Sequence, residues 1–225
     1  MGHVNPMRVE RPKYHLPEEI ISAVSHALGG YLGAAAVVLL VLFAIWSGSQ
    51  VPWKIVAGAV FGATIIILYS ASTIYHAVTN HQIKDACRAF DQMAIYALIA
   101  GSYTPFCLVT LRQDYPVLSW TTLGVVWGIT AAGILFESLT KRHFKYLTTI
   151  TYLAMGWFGL LLFKPLSHVF PVGGLVWLVL GGVLYSLGVV FYLWRSLPYN
   201  HAIWHVFVLA GTIAHFFCIL FYVMM

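Results

Sequence analysis

The sequence predicts an all-α integral membrane protein, a single bundle of seven transmembrane helices. Hydrophobic residues make up 60% of the 225-residue chain and charged residues only 8%, against about 25% charged residues in a typical soluble domain. The mean hydropathy of +0.84 excludes a soluble globular enzyme and a disordered chain. At roughly 20 residues per apolar span, the chain holds about seven helices and has no room for a separate soluble domain.

Seven long apolar runs follow one another along the chain. They lie at about residues 23–46, 55–77, 90–111, 117–138, 146–163, 172–194 and 202–224. Helices are expected because lipid offers no partner for an unpaired backbone group, and the runs are too long and too evenly apolar for barrel strands. Residues 1–22 are polar and lack the apolar core of a cleavable signal. They are predicted to form a cytoplasmic segment that precedes a single transmembrane domain over 23–225.

The basic residues predict the orientation of the bundle. One side carries nine of them: Arg8, Arg11, Lys13, Lys84, Arg88, Lys141, Arg142, Lys145 and Arg195. The other side carries three: Lys54, Arg112 and Lys164. The positive-inside rule therefore places the N-terminus in the cytoplasm and, after seven spans, the C-terminus outside. The net charge of +5 does not indicate nucleic-acid binding, because these residues are dispersed between apolar runs.

Small residues and cysteines carry less information. Glycines recur at four-residue spacing, which lets helices approach closely in lipid. The pairs are Gly29/Gly33, Gly58/Gly62 and Gly124/Gly128. Packing within one bundle is the expected role, and an interface of a homo-oligomer is the alternative. The three cysteines form no CxxC motif, so the sequence supports neither a disulfide framework nor a thiolate metal site.

Five polar residues inside or at the ends of the spans are the candidates for chemistry, because an ionisable group in a membrane is costly. Ser72 and His76 lie near the end of the second span, Asp91 opens the third, and His201 and His205 open the seventh. Adjacent spans run in opposite directions. All five residues are therefore predicted to lie in the cytoplasmic leaflet, although they come from three distant stretches of sequence.

The spacing of these residues fits a metal site. His201 and His205 are four residues apart, so both imidazoles lie on one face of a helix and can bind the same ion. A third imidazole, from His76, completes a three-histidine set with an open position, as in catalytic zinc sites. Asp91 is placed to hydrogen-bond a bound water or a ligand imidazole. A histidine at a membrane interface is also often a simple anchor, and His201, which follows Pro198 at a loop edge, fits that alternative.

The sequence resembles the hemolysin III family, the bacterial branch of the progestin and adiponectin receptor (PAQR) superfamily. The resemblance rests on EEIISAVSHALG (18–29), SASTIYH (70–76), RAFDQMAIYALIAGSYTPF (88–106), YLAMGW (152–157), YSLGVVFY (185–192) and YNHAIWHVFVLAGTIAHF (199–216). The combination of S-x3-H, a following Asp and H-x3-H is its specific part. The resemblance implies zinc held by His76, His201 and His205, with Asp91 on the zinc water and Ser72 nearby. It also implies a multi-pass protein of the bacterial inner (plasma) membrane.

Other polar residues are expected to have structural roles. Packing within the bundle is the default for His26, with a role beside the ligands or in substrate contact as the alternative. His215 is interpreted as a hydrogen-bonded core histidine. Glu18 and Glu19 follow Pro17 at a helix start, where carboxylates favour the helix dipole. Glu137 is interpreted as a snorkelling or interface residue. Lys141, Arg142 and Lys145 are interpreted as topology signals, with anionic lipid contact as a further option.

Three functions are compatible with these features. The first is a zinc-dependent hydrolase that cleaves a lipid amide or ester, in which Asp91 and Ser72 are the catalytic candidates. Such a reaction resembles the ceramidase-like activity of related families, and its substrate would be a membrane lipid. The second is a non-enzymatic, receptor-like sensor or regulator of membrane state, with structural zinc. Membrane homeostasis is the expected role under either. The third, a cytolytic pore, is disfavoured because no span carries a polar stripe wide enough to line an aqueous channel.

Overall fold

The structure is a computed structural model that describes residues 15–140 and 144–225. Seven long, apolar helical spans confirm the predicted fold class, and the described residues contain no strand. Eight α-helices build the seven spans: α1 Leu16–Trp46, α2 Val51–Ala77, α3 His81–Pro105, α4 Pro116–Leu139, α5 Lys145–Trp157, α6 Phe163–Val169, α7 Val172–Leu193 and α8 Asn200–Ile219. A 3-10 turn joins α5 to α6 within one span, and π-helical turns extend α3 and α8.

Several spans begin earlier than the apolar runs predict. The first begins at Leu16 rather than residue 23, the third at Gln82 rather than residue 90, and the seventh at Asn200 rather than residue 202. The added turns are polar, so an apolar run does not mark them, but they pack against other helices. The predicted N-terminal segment 1–22 therefore includes the first turns of α1, and its residues 1–14 lie outside the described residues.

The third span is the centre of the bundle. Its most apolar stretch is 72% buried, against 22% for the fourth, fifth and sixth spans. α2 packs against α1 on one side and α3 on the other, while α8 packs against α7 and α1. The fifth span makes only sparse contacts with α3 and α7. This loose packing leaves a cavity between the fifth span and its neighbours.

Close approach of α1 and α2 depends on the predicted glycine pairs. A Cβ atom on Gly29 would collide with the Tyr69 ring, and one on Gly33 would collide with Ile65. These glycines pack within one chain, as expected. A Cβ on Gly124 or Gly128 would meet no atom of the described chain within 4 Å, so that pair makes no close helix contact here.

Lys54 fixes the C-terminal end of the seventh span, which lies far from the candidate site. Its side chain is buried, and its Nζ donates to the backbone carbonyl of Met224 at 2.9 Å and to the Ser47 hydroxyl at 3.0 Å. The last carbonyls of a helix lack partners within the helix and carry partial negative charge. Lys54, predicted only as an outer-side charge, therefore also caps the C-terminal end of the seventh span.

The orientation of the bundle in the membrane stays a prediction. Lys84, Arg88, Lys145 and Arg195 all lie at the end of the bundle where α3, α5 and α8 begin, which the positive-inside rule places in the cytoplasm. The predicted charges at 1–14 and 141–143 lie outside the described residues. We expect reporter fusions after Asn80 and after Met225 to report opposite sides of the membrane. Cytoplasmic signals from both fusions would contradict this orientation.

Candidate metal centre

Three buried histidines converge at one end of the bundle. His76 lies in the last turn of α2, and His201 and His205 lie in the first two turns of α8. The Nε2 atoms of His76 and His201 are 3.2 Å apart, and those of His201 and His205 are 3.0 Å apart. One nitrogen from each ring lies within 4.8 Å of the other two. The predicted three-histidine set is therefore brought together as a group that could hold a metal ion.

The chemistry of this donor set fits a bound cation. Nδ1 of His76 lies 2.6 Å from the Glu19 carboxylate, which accepts a proton from Nδ1 and leaves a lone pair on Nε2. Lone pairs that face one another in a buried site repel unless a cation or proton lies between them. In a tetrahedral zinc site with Zn–N bonds of about 2.0–2.1 Å, ligand nitrogens lie about 3.3 Å apart. The two Nε2–Nε2 separations that involve His201 are close to that value.

Glu19 orients one of the three histidines. Its Oε2 bonds His76, while its Oε1 forms an ion pair with Lys84 Nζ at 3.0 Å. Lys84 in turn donates to the backbone carbonyls of Tyr75 and Val78 at the end of α2. A carboxylate on the second nitrogen of a ligating histidine fixes the ring and its tautomer. Glu19 therefore has a role that the helix-dipole interpretation missed.

Glu18 positions the helix that carries the other two histidines of the group. The backbone N–H of His201 donates to its Oε1 at 3.1 Å, so a carboxylate from α1 caps the first turn of α8. The residue that precedes this helix, Tyr199, has a left-handed backbone with φ of 59° and supplies no side-chain cap of its own. A carboxylate is favoured at a helix N-terminus. The sequence predicted this role for Glu18 at the start of its own helix, whereas in the structure Glu18 fulfils it at the start of α8.

His26 lies directly beside the three-histidine group. Its ring stacks on that of His205, with centroids 3.6 Å apart and an interplanar angle of 23°. It also meets Tyr69 edge to face at 4.8 Å. Neither ring nitrogen of His26 has a hydrogen-bond partner among the described residues. Since the residue is 2% exposed, this unsatisfied pair of nitrogens within the site favours the alternative role over simple packing.

Asp91 and Ser72 share the site region but do not belong to the ligand group. Asp91, on α3, is buried and lies beside Ser72 on α2. The Ser72 hydroxyl makes no hydrogen bond of good geometry within the described part of the chain. Asp91 and His201 both line the large cavity. The structure therefore places Asp91 in the wall of the same cavity as His201, and the catalytic role of Asp91 stays a prediction.

The cavity is large and extends away from the histidines into the bundle. It has a volume of about 1580 Å³ and is lined mainly by α3, the fifth span, α7 and α8. Its wall on the third span runs from Arg88 on α3 to Phe106, the first residue of the π-helical extension. From Asp91 to Phe106 this is about 22 Å of helix at 1.5 Å per residue. Typical small-molecule pockets have volumes of about 300–1,000 Å³, so this one accommodates a longer ligand.

The structure also tests the roles predicted for His215 and Glu137. His215 is buried and its Nε2 lies 3.2 Å from the Leu178 carbonyl, which confirms the hydrogen-bonded core histidine. Glu137 is not an exposed interface residue: it is 6% exposed and accepts a hydrogen bond from the Thr148 hydroxyl at 2.8 Å. That interpretation was wrong because the partner lies on another helix, out of reach of sequence spacing.

The structure thus defines a class of protein: a seven-span membrane protein in which the second and seventh spans bring three buried histidines together. The model of haemolysin-III related proteins matches residues 14–216, and the chain belongs to this family. It is 43% identical over 209 residues to the hemolysin-3 homolog of Bacillus subtilis (strain 168), covering 93% of this chain and 96% of the relative. It is 39% identical to hemolysin-3 of Bacillus cereus over 96% of this chain and 97% of that protein.

A more distant similarity fits the wider superfamily. The human monocyte to macrophage differentiation factor is 30% identical over 173 residues, which cover 74% of this chain and 70% of the relative. These matches confirm the resemblance to the hemolysin III family that the sequence motifs indicate.

Substitution of Glu19 tests its orienting role. We expect Glu19→Gln to weaken metal binding by about 10- to 100-fold, the usual effect of losing a carboxylate that holds a ligating histidine. The measurement is a competition titration of the purified protein with a chelator. Glu137→Gln is the matched control, because it removes a buried carboxylate bonded to Thr148. Equal metal affinity in wild type and Glu19→Gln would show that the Glu19 contact does not support the site.

Proposed function

We propose that this protein is a zinc-dependent hydrolase of the bacterial plasma (inner) membrane that cleaves an acyl amide or ester in a membrane lipid. The observation that carries the proposal is a buried three-histidine group, one member of which, His201, lines a cavity long enough for an acyl chain. Turnover of such a lipid would serve membrane homeostasis.

The cavity supports a lipid as the substrate. Its wall combines apolar side chains deep in the bundle, such as Leu98, Phe106 and Leu162, with polar residues at the histidine end, such as Asp91 and Gln92. A lipid that enters from the leaflet would place its chain among the apolar residues and its acyl linkage near the histidines. The scissile bond would then lie within reach of Asp91.

His76, His201 and His205 would hold the zinc ion. When bound by three histidines, zinc polarises a carbonyl and lowers the pKa of its water to about 7. Asp91 is proposed as the general base: its carboxylate takes the proton of the attacking water as the water oxygen bonds to the acyl carbon. The same carboxyl group then returns the proton to the leaving amine or alcohol as the C–N or C–O bond breaks. Ser72, beside Asp91, would orient that carboxyl group.

Zinc dependence of lipid hydrolysis tests the proposal. The purified protein, loaded with zinc, should release fatty acid from an N-acyl or O-acyl lipid in mixed micelles, and a chelator should abolish the release. Restoring zinc should restore it. A protein that holds one zinc per chain and cleaves neither type of lipid would instead support the second function, a sensor or regulator in which zinc joins α2 to α8.

A further inference from the structure

Three cationic side chains line the cavity at its histidine end. Arg88 comes from α3, Lys145 from the first turn of α5, and Arg195 from the segment between α7 and α8. Both arginines lie within electrostatic range of Lys145, and Arg88 and Lys145 lie within range of His201. Three separate elements therefore bring positive charge to one region beside the candidate metal centre.

None of these cations forms a direct ion pair with a carboxylate in residues 15–140 and 144–225, although Arg88 lies within electrostatic range of the Asp91 carboxyl. The Lys145 ammonium instead donates to the Tyr192 carbonyl at 3.1 Å and lies 3.9 Å from the centre of the Tyr192 ring. The two acidic residues in the cavity wall are Glu18 and Asp91. Glu18 already accepts the His201 N–H, and Asp91 is buried beside Ser72.

The positive-inside rule accounts for the sign of these charges but not for their convergence on a cavity wall. Arg88 lies three residues before Asp91 on α3, which places both on one helix face. A topology signal requires only that a cation lies near the end of a span. Like charges that approach one another cost free energy unless counter-ions balance them. The single Asp91 carboxyl within electrostatic range of Arg88 does not balance three cations, and an anionic ligand would reduce that cost.

We propose that Arg88, Lys145 and Arg195 form a binding site for the phosphate headgroup of a single-chain anionic lipid whose chain occupies the cavity. Arginine binds phosphate through paired N–H groups, and lysine binds it as a point charge. The headgroup would lie at the mouth and the chain would run along α3. This inference rests on the proposed function for the statement that the lipid is a substrate, and it narrows the substrate class to phosphate-bearing lipids.

Binding of two matched ether lipids tests the site without turnover. The probes are an alkylglycerol phosphate and the alkylglycerol of equal chain length, neither of which has an acyl bond to cleave. The wild-type protein in nanodiscs of zwitterionic lipid should bind the phosphate probe about 100-fold more tightly, since each cation near a membrane surface contributes about a factor of five. This preference should fall as salt concentration rises.

Variants that replace each cation with neutral glutamine show which residues produce the preference for the phosphate lipid. Each of Arg88→Gln, Lys145→Gln and Arg195→Gln should reduce the phosphate preference several-fold, and the triple variant should remove it while binding of the uncharged lipid stays the same. Lys164→Gln, which alters an exposed lysine outside the cavity wall, is the matched control and should keep the full preference. Equal binding of both probes by the wild type, or a full preference in the triple variant, would overturn the proposal.

Competition with inorganic phosphate distinguishes a lipid-binding site from a site for a free anion. Inorganic phosphate should compete with the phosphate lipid only at concentrations far above the dissociation constant of that lipid, because it lacks the chain. Competition at a similar concentration would show a free-anion site and overturn the lipid proposal. Absence of lipid hydrolysis alongside a retained phosphate preference would overturn the hydrolase proposal and leave this binding site in place.

Discussion

Replacing Asp91 with asparagine should reduce lipid hydrolysis by about 100-fold or more while the protein keeps its zinc. The amide has nearly the size of the carboxylate and can accept a hydrogen bond, but it cannot take up a proton. Loss of a general base usually costs about 10²- to 10⁴-fold in rate. Asp91 lies outside the group of three histidine donors, so its replacement leaves the metal ligands intact. The measurement is the rate of fatty-acid release by purified, zinc-loaded protein.

The same variant distinguishes a catalytic from a structural centre in cells. A null strain that carries Asp91→Asn at wild-type protein level should fail to restore membrane lipid composition. Ser138→Ala is a suitable control, because Ser138 is an exposed hydroxyl bonded only to the backbone of its own helix. Full complementation by a stable, zinc-loaded Asp91→Asn protein would refute the hydrolase proposal and favour the sensor.

Removal of any one ligand should nearly abolish zinc binding. We expect the wild-type protein to hold about one zinc ion per chain. His76→Ala, His201→Ala and His205→Ala should each lose most of this zinc, because the two remaining imidazoles are too few protein ligands to hold the ion. Their melting temperatures should also fall, since metal that joins α2 to α8 contributes to folding free energy. The measurements are metal content by mass spectrometry and thermal unfolding in detergent.

His215→Ala is the matched control for the ligand variants. It removes another buried histidine of the same helix, which bonds the Leu178 carbonyl and packs against Gly181. This variant should lose stability but keep its zinc. Full zinc retention in His201→Ala would remove that residue from the ligand set and support its alternative interpretation as an interface anchor.

The sequence alone determined the fold class and the identity of the histidine cluster. Apolar runs of sufficient length have few alternatives in a membrane, because every backbone group must be paired within a helix. The spacing of His201 and His205 follows from helix geometry, so one helix face could be inferred without a structure. Alternating span direction then placed His76 at the same end, and the structure brings its ring to 3.2 Å from that of His201.

The tertiary structure decided what surrounds those histidines. Glu18 and Glu19 appeared to be helix-start residues in a polar segment, and only the packing of α1 shows that they bond His201 and His76. Adjacent carboxylates at the start of an apolar helix, inside a family-like stretch, were the available signal. Such contacts join residues far apart in the chain, and no local periodicity reports them. The stacking of His26 on His205 and the cavity beside the fifth span depend on how helices pack, which hydropathy cannot resolve because lipid-facing and cavity-facing residues are equally apolar.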